Sequence, residues 1–86
     1  MATKSQHAPL YQRLPRFLRL LREEAGLTQR EQGQRLKKPQ SWVYNCETAN
    51  RRVDVTEFIA WAKACSVDEQ AAFARFLQFQ GDRKSG

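Results

Sequence analysis

The side chains with the most specific chemistry in this chain fall together on one short stretch. Wound at about 100° per residue, residues 40–48 place Gln40, Ser41, Tyr44, Asn45 and Thr48 on one half of a helical cylinder and Trp42, Val43 and Cys46 on the other. The apolar half can seat on a core. The polar half carries amides, hydroxyls and a phenol with almost no charge, whereas a merely solvated face usually carries Lys and Glu. Such groups match the donors and acceptors on base edges, and Gln40 can bond both N6 and N7 of an adenine. The pattern points to a helix that reads bases in a major groove.

The charges around this stretch fit the same partner. The net charge is +6 and the pI about 9.9. Residues 1–52 hold eleven Lys and Arg against four Glu, a balance of +7, and residues 53–86 hold four against five, a balance of −1. Lys37 and Lys38 precede the polar helix and Arg51 and Arg52 follow it, so these four are candidate phosphate contacts. A basic, solvated face with no partner is the plainer reading of the asymmetry.

The elements that must position these groups follow from periodicity and from helix start and stop signals. Leu10, Leu14, Phe17, Leu18, Leu21 and Ala25 recur at helical spacing. Pro15 favours a helix that begins near it, preceded by a separate turn, because proline suits the first helical position. Gly26 is predicted to stop that helix as a left-handed cap. Thr28 and Glu31 form a capping box for a short second helix, which has little to bury at Gln32, Gly33 and Gln34. Gly33 is expected to let a neighbouring helix approach. Lys37, Lys38 and Pro39 make a turn, with Pro39 at the start of the polar helix. Asp54 with Glu57 caps a fourth helix, whose buried stripe is expected at Val55, Phe58, Ile59, Ala62 and Cys65, with Trp61 to one side. Asp68 caps a last helix carrying Phe73, Phe76 and Leu77, with Phe79 facing away from Leu77. Trp61 and Phe79 are candidate contacts of a homodimer.

Eighty-six residues make one domain, assigned to residues 9–79, with flexible tails at 1–8 and 80–86. The only histidine, His7, lies in the first tail. No stretch is apolar enough to span a membrane, and no secretory signal is evident at the start. Cys46 and Cys65 read as reduced core thiols, and neither has a His or Cys at ligand spacing. With no metal cluster, phosphate-cradling glycine loop or nucleophile–base arrangement, neither catalysis nor a cofactor is expected.

With these residues placed, the chain resembles the Cro/C1-type (XRE) helix-turn-helix family of bacterial and phage transcription regulators. The resemblance rests on Leu18–Gln29 (LRLLREEAGLTQ), Pro39–Val43 (PQSWV), Glu47 and Arg51–Phe58 (RRVDVTEF), and it runs from residue 18 to about residue 67. It implies an all-α fold, a compact five-helix bundle like that of lambda repressor, with the third helix in the major groove. It also implies that Gln29 grips a phosphate, that Gln40, Ser41, Tyr44 and Asn45 read bases, that Val43 belongs to the core, and that Arg22 and Glu47 form a buried ion pair. The chain departs from the family pattern at Gln32–Gly33, usually Leu-Ala; at Lys37, Ala49 and Ser66, commonly glycine; and at Cys46, usually a bulky apolar residue.

The expected function is sequence-specific binding of a double-stranded DNA operator by a homodimeric transcription regulator, a repressor of bacterial or phage origin. It would be cytoplasmic and associated with the nucleoid when bound. The competing expectation is a protein-interaction module, such as an antitoxin-like or adaptor protein with a protein partner, built on the same fold.

Overall fold

Five α-helices make up most of residues 9–79, the part of the chain that the computed structural model describes. They are α1 (Pro9–Glu24), α2 (Gln29–Leu36), α3 (Gln40–Glu47), α4 (Val55–Ala64) and α5 (Glu69–Gln78). The fold is all-α, as expected. The two tails and His7 lie outside the described residues.

Local signals in the sequence set most helix ends. Thr28 Oγ1 accepts the Glu31 N–H at 3.0 Å while Glu31 Oε1 accepts the Thr28 N–H at 2.9 Å, the reciprocal capping box. Asp54 and Glu57 repeat it at α4, and Asp68 Oδ2 accepts the Ala71 N–H at α5. At the end of α1, Gly26 takes φ +75°. Its N–H reaches the Glu23 carbonyl and the Leu27 N–H reaches the Arg22 carbonyl, so two otherwise orphaned carbonyls are satisfied.

The start of α1 differs from expectation. The helix runs unbroken from Pro9, and Pro15 lies inside it, buried. An interior proline removes one backbone hydrogen bond and costs about 3 kcal/mol. Two tertiary contacts offset this: Pro15 packs inward, and the Tyr11 side chain is tied to the loop before α4. A local reading has no access to either. Pro39 also sits one residue earlier than expected, as the N-cap of α3 with no side-chain hydrogen bond.

The apolar core is drawn from four of the helices and the connections, with Leu36 of α2 packed against it. Phe17, Leu18 and Leu21 of α1 meet Val43 and Cys46 of α3, Phe58, Trp61 and Ala62 of α4, and Ala72 of α5. Leu27, Val53 and Cys65 close it from the connections. The stripe of α4 keeps Phe58, Ala62 and Cys65 as expected, but it gains Trp61 and loses Val55. Trp61 is fully buried, with Nε1 donating to the Leu18 carbonyl at 3.0 Å, while Val55 is 67% exposed. Trp61 therefore has no surface to offer a dimer. Phe79 packs its ring 5.3 Å from that of Phe17 and faces the core as well, leaving Phe73 and Leu77 exposed. Both cysteines are free and buried.

The second helix buries more than its sequence promised. Gln32 is fully buried; its amide donates to the Trp61 carbonyl at 3.5 Å and accepts the Cys65 thiol at 3.6 Å. Gly33 meets the turn rather than a helix. A Cβ there would lie 2.6 Å from the Lys38 carbonyl oxygen, so any side chain would push the turn, and α3 with it, outward.

Candidate nucleic-acid interface

The turn between α2 and α3 fixes how α3 is presented. Lys37 adopts φ +60°, and the Lys38 N–H closes onto the Gly33 carbonyl at 2.8 Å. Ala49 and Ser66 also lie in the left-handed region, at φ +64° and +62°. The three departures from the family's glycines thus keep a glycine's backbone conformation.

Once α3 is placed, its two halves separate as the helical phase requires. Val43 and Cys46 are fully buried, and Trp42 is half-buried with its ring centroid 6.3 Å from that of Trp61. Gln40, Ser41, Tyr44 and Thr48 are exposed and Asn45 is partly so. The Asn45 backbone carbonyl accepts the N–H groups of Asn50 and Arg51, which closes the turn after α3.

Beneath the polar face runs a chain of hydrogen bonds. Gln40 Nε2 donates to Gln29 Oε1 at 3.3 Å, and Gln29 Nε2 donates to Glu47 Oε1 at 3.0 Å. Glu47 also accepts Arg22 Nε at 2.6 Å and Nη2 at 3.0 Å, a two-pronged pair between buried residues. Arg22 Nη1 finishes on the Leu27 carbonyl at 2.8 Å. The bond to Glu47 is the main reason the Arg22 pKa is raised. Gln29 spends one N–H and its oxygen on this chain, which leaves one amide N–H for an outside acceptor.

The basic residues flank the polar face, and their environments differ. Lys37 and Lys38 are exposed at its start, with Lys38 Nζ 5.3 Å from the Trp42 ring centroid. Arg51 is engaged within the fold. Nη1 donates to the Arg52 carbonyl at 2.7 Å and to Glu57 Oε1 at 3.1 Å, and the guanidinium lies 4.9 Å from the Trp42 ring centroid. That ion pair raises the Arg51 pKa and lowers that of Glu57. Arg52 is exposed.

The structure also brings forward a residue that the sequence reading passed over, Tyr11, which reaches the loop before α4; Trp42, read as an apolar-face residue, also carries two cations on its ring. Tyr11, Leu14, Leu18 and Leu21 share one helical phase, a usable signal once α1 is known to begin before Pro15. Among the described residues no group of His, Cys, Asp or Glu is arranged to hold a metal.

Comparison with known proteins agrees with this geometry. A family model described as a helix-turn-helix domain matches residues 13–84. An XRE-family like protein from Pseudomonas syringae pv. tomato str. DC3000 has a similar solved structure, with TM-score 0.76 and 39% identity over 90% of this chain and 94% of that one. The chain belongs to the XRE-type helix-turn-helix family. No curated protein matches it. In this XRE-type protein α2 and α3 form the helix-turn-helix, and a DNA-binding regulator is the general class that fold and family support.

Proposed function

We propose that this XRE-type protein binds a specific double-stranded DNA operator, with α3 in the major groove, and represses transcription by occupying the site rather than by catalysis. One observation carries the reading: Gln40, Ser41, Tyr44 and Asn45 lie on the outer half of α3, while Val43 and Cys46 are buried beneath them. Neutral hydrogen-bonding groups on a fixed helix discriminate bases, at about 1–3 kcal/mol for a good two-pronged contact. Lys37, Lys38, Arg52 and the remaining N–H of Gln29 supply phosphate contacts on either side.

The protein acts as a homodimer in this reading, so that two copies of α3 meet one face of the duplex about one helical turn apart. With Trp61 buried, the residues that support an association surface are Phe73 and Leu77 of α5 and Val55 of α4, which are 50%, 59% and 67% exposed. The same apolar edge supports the second reading, an adaptor or antitoxin-like protein that binds another protein there. A cytoplasmic location in a bacterial or phage-bearing cell, at the nucleoid when bound, goes with the first reading.

Selection of binding sites from random duplex DNA, followed by filter-binding titration, tests the proposal. A defined motif should emerge, and affinity should fall with salt at a log–log slope of about −0.9 per phosphate contact. Gln40→Ala should change the selected motif, and Lys38→Ala should weaken all sites alike. Binding indifferent to both sequence and salt would sink it.

A further inference from the structure

Tyr11 lies near the start of α1, yet its phenol secures three consecutive residues of the loop that follows the reading helix. The hydroxyl accepts the Val53 N–H at 3.0 Å and donates to the Arg51 carbonyl at 3.4 Å. The residue between them, Arg52, lays its guanidinium 4.9 Å from the centre of the Tyr11 ring. From the opposite direction, Arg51 ties the same loop to Glu57 and to the Trp42 ring. The loop carries no helix of its own, so these side chains set its path.

Their division of labour matters for a polyanionic partner. Arg51 is half-buried, with its charge answered by Glu57, whereas Arg52 is exposed, so Arg52 is the better placed of the two to meet a phosphate. A guanidinium stacked on an aromatic ring uses its face for the ring and keeps its donors in the plane of the fork. Stacking also removes beforehand part of the rotamer freedom that a long side chain loses on binding.

We propose that Tyr11 is a positioning residue for duplex binding: it holds the loop at Val53 and Arg51 and seats Arg52 so that the guanidinium faces a backbone phosphate. The inference rests on the DNA-binding reading above and extends it to α1, which contacts no base. Tyr11 then sets affinity through Arg52 and leaves sequence preference alone.

A double-mutant cycle on the selected duplex decides it. Affinity, salt slope and thermal unfolding are measured for the parent, Tyr11→Leu, Tyr11→Phe, Arg52→Ala, and each Tyr11 variant combined with Arg52→Ala. Tyr11→Leu and Arg52→Ala should each weaken binding by about three- to ten-fold, the scale of one ordinary net hydrogen bond. Each should flatten the salt slope by about one contact and leave the motif unchanged. Tyr11→Phe, which keeps the ring, should retain the slope and lose less affinity. In the Arg52→Ala background, either Tyr11 change should cost nothing further. Losses that persist in that background, or that follow thermal stability with an unchanged slope, overturn the proposal and leave DNA binding standing. If Tyr11→Leu does not fold, the Tyr11→Phe cycle decides by the same criterion. A folded parent that binds no duplex overturns this proposal and the DNA-binding reading together.

Discussion

Gln29 and Arg22 share a single acceptor, Oε1 of Glu47, each at 3.0 Å. The carboxylate that locks α1 to α3 therefore also orients the amide on which Gln40, the first residue of the reading helix, rests. Core integrity and the presentation of a proposed base-reading group pass through the same oxygen.

Removing either member of the Arg22–Glu47 pair strands its partner's charge. Arg22→Ala and Glu47→Ala should each cost about 3–5 kcal/mol, a large share of the roughly 0.05–0.15 kcal/mol per residue that holds a small domain folded. The double variant should cost less than the sum. Urea unfolding followed by circular dichroism measures all three, and additive losses would show that the two charges do not interact.

Gly33 offers a test in which local and tertiary effects have opposite signs. Helix propensity alone favours Gly33→Ala by about 1 kcal/mol. The 2.6 Å approach of a Cβ to the Lys38 carbonyl oxygen reverses that, because the obstacle is backbone and the turn must move. The expected result is a net loss of about 1–3 kcal/mol, read as a lower urea midpoint, together with weaker binding to the selected duplex.

The three non-glycine residues at φ +60° to +64° predict a gain of stability from one substitution each. Glycine adopts that region without the Cβ clash, though it is more flexible when unfolded. Ala49→Gly and Ser66→Gly should each raise stability by about 0.5–1 kcal/mol, visible as a higher Tm. Lys37→Gly should do the same while also removing a candidate phosphate contact, so its salt slope should flatten.

These positions also show what could be read from the sequence and what could not. The caps at Gly26, Thr28, Asp54 and Asp68 were legible because each is a contract between residues no more than five apart. The outward quartet of α3 was legible because helical phase places it without reference to the rest of the chain. Pro15, Trp61 and Gln32 were not, because each depends on distant partners: the loop that Tyr11 secures, the Leu18 carbonyl and the Cys65 thiol. Gln32 looked like a poor helix residue, and its partners make it a satisfied core residue.

Acid should loosen the α3–α4 connection. Arg51 is the main cause of the lowered Glu57 pKa, so the pair adds stability above the unfolded carboxylate value of about 4.3. It loses that stability as pH falls through the lower folded value. The parent should weaken from about pH 5 downward, and Glu57→Gln should be flatter over the same range by about 0.5–1 kcal/mol. Urea midpoints between pH 7 and pH 3 give the comparison.

Burial pushes the Cys46 thiol up to about 11 and raises that of Cys65 as well. Neither should react at neutral pH until the fold opens, since the thiolate is the nucleophile. Labelling by dithionitrobenzoate should be slower in the native protein than in urea by a factor of roughly 10² or more. Rapid native labelling would place one of them at the surface.

The two tryptophans give the molecule a built-in optical gauge. Trp61, sealed and bonded to Leu18, should emit at short wavelength and shift to the red only when the bundle comes apart. Trp42 stands at the rim with Lys38 and Arg51 over its ring, so an arriving polyanion that draws those cations away changes the brightness of one indole and not the colour of the other. Unfolding and docking can then be followed separately, with no dye attached.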